Sequence, residues 1–158
     1  MNGIQRFGIF VMVMTWIAFS SDAWAGLGQK SAGTYLAIGD SAWILQISQD
    51  GNLRHIFSKQ FSGGVLHLPF SNSWGSWKET GEREMTAKMV NLTFKSGTRE
   101  FMGVAGATWV IKFDEEFLTA NVTYKGAIFP PGVNPFDRNA RPLAESAFER
   151  TVVFHRIR

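Results

Sequence analysis

Cysteine is absent from all 158 residues, which removes disulfides, thiol catalysis, thiolate metal sites and lipid attachment through a cysteine. Stability therefore has to come from a packed core. Charge is sparse as well. Only 18% of the residues are Asp, Glu, Lys or Arg, and the 16 Lys and Arg are interspersed with 13 Asp and Glu instead of gathering into runs. The formal charge of +3 thus describes a solvated surface, and without a basic stripe or a recognition motif nucleic acid is not an expected partner. Helical signals are nearly missing: only Pro142 to Arg150 offers a candidate apolar stripe of helical period. No repeat, low-complexity tract or linker divides the chain.

Catalytic signatures are equally thin. His55, His67 and His155 form no H-x-H, H-x-x-x-H or H-E-x-x-H cluster, so neither a metal nor a cofactor is expected. The nucleophile-elbow pattern G-x-S-x-G does not occur. Gly39-Asp40-Ser41 looks like the first block of GDSL-type esterases, but no histidine has Asp three positions earlier. The triplet is explained more simply as a tight strand connection. Asp114, Glu115 and Glu116 sit at an expected hairpin tip, and no paired-carboxylate geometry can be read from their spacing.

What is present begins with a leader. Arg6 precedes the apolar run Phe7 to Phe19, followed by Ser20, Ser21, Asp22 and the small-residue pattern Ala23-Trp24-Ala25. This order predicts a signal peptide over 1–25, cleavage after Ala25, and an exported periplasmic or secreted protein, 26–158, that keeps no stable membrane anchor. An uncleaved anchor is the alternative reading of the same run. The sequons Asn91-Leu92-Thr93 and Asn121-Val122-Thr123 would be glycan acceptors in a eukaryotic secretory route, though such triplets are common by chance.

After residue 33 the chain alternates short β-branched and aromatic runs with turn clusters, predicting strands over 34–38, 42–49, 53–60, 74–80, 83–94, 101–113, 117–129 and 146–157. Eight strands with mostly tight loops suit an all-β, antiparallel up-and-down barrel or a compact sandwich. Charge pairing favours a Thr80-Gly81-Glu82 loop that sets Glu79 against Arg83, Lys78 against Glu84 and Trp77 against Met85. Trp77 then shares the inner face with Met85, Ala87 and Met89, while Trp74 faces outward. Beyond Met89 the apolar parity changes to Val90, Leu92 and Phe94, which predicts a β-bulge near Met89-Val90. Pairing Phe113 with Leu118 aligns the apolar row Phe101 to Phe113 with Ala120, Val122, Tyr124 and Ile128. Pairing Gln49 with Leu53 across Asp50-Gly51-Asn52 places Trp43, Leu45 and Ile47 on one face with His55 and Phe57.

Gly103, Ala105 and Ala107 are small inward positions, which either leave an interior cavity or make room for large residues from across the barrel. If a cavity exists, Trp43, Trp77, Met85, Met89, Trp109 and Tyr124 are the candidate ligand-binding residues, because flexible Met and flat aromatics suit an apolar guest. His55, Tyr124 and Arg150 are the candidate proton-transfer or charge-stabilising groups, with a satisfied core histidine and a stacked arginine as the plainer explanations. The long connections Phe61 to Ser73 and Pro130 to Leu143 are candidates to line a mouth or bind another protein. Self-association is left open.

Gly33-Thr34-Tyr35, the Asp50-Gly51-Asn52 turn, Gly75-Ser76-Trp77 and a late arginine together resemble the lipocalin-like, or calycin-type, barrels of small exported proteins. The resemblance implies a barrel that takes a small hydrophobic molecule, with Tyr35 packed at the closed end under Arg150 or Arg156. Tyr35 stands where lipocalins carry Trp, and the usual disulfide is missing. Allene oxide cyclase-like and dirigent-like barrels use a similar scaffold to steer apolar substrates, which makes an isomerase or cyclase the alternative activity.

Overall fold

The computed structural model describes residues 26–62 and 66–158, and the expected leader lies outside them. A short helix, α1 (Leu27–Ser31), precedes β1 (Gly33–Ile38), β2 (Ala42–Ile47), β3 (Asn52–Phe57), β4 (Ser73–Gly81), β5 (Glu84–Phe94), β6 (Phe101–Phe113), β7 (Thr119–Phe129) and β8 (Phe148–Arg156). The eight strands close an antiparallel barrel in simple sequence order, the all-β up-and-down architecture expected from the alternation.

No helix forms over Pro142 to Arg150. Glu145 takes a positive φ of 55° there, and Phe148 begins β8 because its even positions Phe148, Val152 and Phe154 supply an inner face of period two. The helix that does form, α1, is too short to show a sequence stripe. It lies at one end of the barrel with Leu27 buried and the Ser31 hydroxyl donating to the Leu27 carbonyl at 2.7 Å.

That end is solid. Tyr35, Leu45, Ile47, Leu53, Met85, Ile111, Val122 and Phe154 are each buried and converge from seven strands. The Tyr35 hydroxyl donates to the carbonyls of Ser31, at 2.9 Å, and Phe117, at 3.2 Å. Of the two arginines considered for its cover, it is Arg156 that lies 5.9 Å from the Tyr35 ring centre and donates to the carbonyls of Lys30 and Ala32.

Three expected hairpin registers are each displaced by two residues. Ile47 pairs with Leu53, Trp77 with Ala87 and Phe113 with Ala120. A two-residue step keeps every side chain on its face, so the inward assignments of Trp43, His55, Trp77, Met89, Trp109 and Tyr124 survive while the partners change. The charges that suggested Glu79–Arg83 and Lys78–Glu84 are matched elsewhere: Arg83 meets Glu115 at 3.3 Å and Glu84 meets Lys112 at 3.2 Å, across to neighbouring segments. The β6–β7 turn is lengthened because Phe117, at a φ of 56°, tucks its ring into the base of the core beside Phe113.

The expected bulge at Met89-Val90 does not occur. The β5–β6 ladder runs unbroken from Glu84 to Thr93 and shifts only between Thr93 and Phe94. Consequently Asn91 and Thr93 point inward, and the apolar Val90 and Leu92 point outward.

The seam closing the barrel is short. β1 and β8 pair only through Tyr35 with Arg156 and Leu36 with His155, whereas β7 and β8 pair over eight positions. β1 stops at Ile38, so the first half of β8 has no strand on its other side.

Candidate functional site

The half of the barrel away from α1 is not filled. The small side chains of Ala105 and Ala107 on β6 leave a cavity of about 80 Å³. A single water needs only about 10–15 Å³ of such space. The inner wall is aromatic on one side, where Trp43 of β2, Trp109 of β6, Tyr124 of β7 and Phe148 of β8 meet. Trp109 and Tyr124 are ladder partners with rings stacked at 4.8 Å and 19°. Trp43 lies 4.1 Å from Phe57 and 6.2 Å from Tyr124, its indole N–H held by the Ser41 hydroxyl at 3.1 Å.

Polar side chains on β3, β4 and β5 adjoin these rings. His55 of β3 pairs directly with Ser73 of β4, and Asn91 and Thr93 of β5 continue the row. The Thr93 hydroxyl donates to Asn91 Oδ1 at 3.3 Å, and Asn91 Nδ2 donates to Ser73 Oγ at 3.3 Å. His55 is 3% exposed, with its ring 5.3 Å from Trp43 and 5.0 Å from Trp109, and neither ring nitrogen has a hydrogen-bond partner among the described residues. Burial with no compensating charge pushes its pKa down to about 3, so the imidazole is neutral at physiological pH. Burial likewise pushes the Tyr124 hydroxyl up to about 12, against a smaller opposing pull from Arg150.

Residues 66–70, ahead of β4, form the rim. Leu66, Leu68 and Phe70 line the cavity, and Phe70 stacks on Phe57 at 6.1 Å. Backbone bonds lace this rim to β5: Ser71 N–H donates to the Leu92 carbonyl and Phe94 N–H to the Pro69 carbonyl, both at 2.9 Å. The other long connection, 130–147, turns away from the mouth. Its Pro135 sits on Gly106, which faces outward from β6, and its Phe136 lies under Lys88 at 5.0 Å.

Of the residues singled out from sequence, Trp43, His55, Met89, Trp109 and Tyr124 come together around the cavity. Trp77 and Met85 lie nearer the solid end instead. The Trp77 indole lies against Gly28 of α1 and donates to the Ser48 carbonyl at 3.0 Å, and Met85 is fully buried in the core. Arg150 is opposite Tyr124 in the ladder, yet it is exposed beside the open part of the β1–β8 seam and does not line the cavity. Ser73, Asn91, Thr93, Phe57, Phe70 and Phe148 were not singled out as site residues. Asn91 and Thr93 could have been, by continuing the Met85-Ala87-Met89 parity without a bulge. The inward Asn91 side chain also has a partner inside the barrel, unlike the exposed Asn121 of the second sequon.

No protein-family model, curated protein or solved structure matches this chain.

Proposed function

We propose that this protein is an exported, non-catalytic barrel that holds a small hydrophobic molecule in its unfilled half. The division of the interior carries the reading: one end is packed solid from Tyr35 to Phe154, and the other keeps about 80 Å³ walled by Trp43, Met89, Trp109 and Tyr124. Concave, mostly apolar space with a few convergent polar groups is how small-molecule sites are built. The leader-like residues 1–25 support export, and the clasp of Arg156 over Tyr35 beside α1 supports kinship with lipocalin-like, calycin-type barrels.

Trp43 and Trp109 provide the test. Titrating the protein lacking residues 1–25 with a panel of fatty acids, terpenoids and aromatic compounds should quench tryptophan fluorescence and raise the melting temperature for a subset. A panel that produces neither response sinks the reading. The alternative, a barrel isomerase or cyclase, draws on the unpartnered neutral imidazole of His55, which is placed to exchange a proton with a bound substrate. Turnover of a substrate that survives replacement of His55, Tyr124 and Arg150 together would rule out that assignment of the catalytic groups.

A further inference from the structure

Apart from the Tyr124 hydroxyl, the polar side chains of the cavity lie on β3, β4 and β5, and their hydrogen bonding has a direction. Thr93 donates to Asn91 and Asn91 donates to Ser73, so the Ser73 oxygen is already an acceptor while its own proton is donated to no other described residue. Beside it, as its direct ladder partner, His55 presents two unpartnered ring nitrogens. A neutral imidazole has one bare nitrogen that accepts and one N–H that donates. Side by side, therefore, the wall offers a free donor at Ser73 and, at His55, a free acceptor together with a free N–H.

No Asp, Glu, Lys or Arg lines this space among the described residues. A carboxylate brought into it would lose its hydration with no cation to compensate, which is far costlier than burying a neutral polar group that finds a partner. Trp43 and Trp109, whose rings pack directly on His55, and Tyr124, stacked on Trp109, give an aromatic surface beside the imidazole against which a planar ring packs in an offset or edge-on arrangement.

Resting on the binding reading above, we propose that the ligand is a compact aromatic alcohol or phenol whose neutral hydroxyl donates to His55 and accepts from Ser73, and that carboxylates of the same shape are excluded. A hydroxyl is the neutral group that accepts from Ser73 and donates to the accepting nitrogen of His55 at once, leaving only the imidazole N–H open. A ketone or an ether accepts only and leaves the imidazole lone pair buried and unmet, and a hydrocarbon leaves all three.

The test is calorimetric titration at pH 7 with four one-ring probes, matched to a cavity of about 80 Å³ that opens at the rim: phenol, toluene, anisole and benzoate. The phenol is expected to bind about tenfold or more tightly than toluene, as a satisfied against an unsatisfied buried polar group requires. Anisole should fall to the level of toluene or below, and benzoate should show no binding. In His55→Phe, the ratio of phenol to toluene affinity should fall to about one, whatever the substitution does to either affinity alone. If none of the four binds, the binding reading itself fails for one-ring ligands. If toluene binds but phenol gains nothing, if anisole matches phenol, or if benzoate binds as well, the assignment to His55 and Ser73 is overturned and the hydrophobic pocket remains. The three uncharged probes on the unaltered protein decide this even where the variant does not fold.

Discussion

The imidazole of His55 stands edge-on to the indole of Trp109, 5.0 Å between ring centres at 61°, and neither of its nitrogens has a hydrogen-bond partner among the described residues. The contact is favourable to an uncharged ring and offers nothing to hydrate a charged one. Protonation is therefore paid for out of folding stability. Because the folded pKa is about 3 and the ordinary value is 6.5, the unfolded chain binds the extra proton throughout that interval. Stability is fully present above the ordinary pKa and falls as the pH drops from about 6.5 toward 3, with a slope of at most roughly 1.4 kcal/mol per pH unit from this one group. Urea melts between pH 7.5 and 4.5 should show that slope, and His55→Phe should flatten it. An equal slope in the variant would assign the effect to other groups.

The two ends of the barrel should respond to mutation in different currencies. Trp77→Phe removes the bond to the Ser48 carbonyl and the packing on Gly28, and should lower stability by about 1–2 kcal/mol while leaving affinity for any cavity ligand within twofold. Trp43→Ala strips the aromatic wall and should weaken the same ligand about tenfold or more, equivalent to ~1.4 kcal/mol. Chemical denaturation and ligand titration on both variants separate the two; a loss of affinity in Trp77→Phe matching that of Trp43→Ala would contradict the division.

Phe70 stacks on Phe57 at the rim, and the backbone around it is tied to β5. Phe70→Ala should therefore open the rim without loosening the wall. A bound hydrophobic probe is expected to leave several-fold faster in a stopped-flow displacement, with little change in far-ultraviolet dichroism. An unchanged dissociation rate would place the exit elsewhere.

Arg156 grips the carbonyls of Lys30 and Ala32 with a planar fork that lysine cannot reproduce. Arg156→Lys should cost about 1 kcal/mol of stability, since one of two charge-assisted bonds at the partly exposed end is lost. Thermal melting measures this, and a variant as stable as the parent would show that the clasp contributes nothing.

Gly106 is the seat of Pro135, and a Cβ there would collide with the proline ring. Gly106→Ala should release the 130–147 connection from the outer face, raising its proteolytic cleavage while the cavity ligand still binds. Retention of the parent's protease resistance would mean that the connection is held by its other contacts.

How far the fold was legible follows from parity. Alternation in Phe101 to Phe113 and in Thr119 to Phe129 identifies strands and their inner faces, because a half-buried strand must repeat every two residues. Partners were less legible: cross-strand charges at Glu79, Arg83 and Glu84 are exposed and find equivalent mates in adjacent segments, so they do not specify a register. The site defeated the apolar rule itself. Val90 and Leu92 look like core and Asn91 and Thr93 like surface, yet the strand keeps its phase and turns the polar pair inward, where a ligand wall can use it. Phe70 and Leu68 come from a segment without periodicity, whose placement depends on bonds to β5 that no local pattern encodes.

The two-pair seam between β1 and β8 has a temporal meaning as well. The other seven pairings each join neighbours along the chain and can form as hairpins grow, but the seam must wait for segments more than a hundred residues apart to meet. Closing so long a loop brings a large entropic cost and only two rungs of ladder to offset it. The barrel is thus a curled ribbon that becomes a vessel at its final step, with Arg156 of the last strand as the latch on the residues that lead into the first.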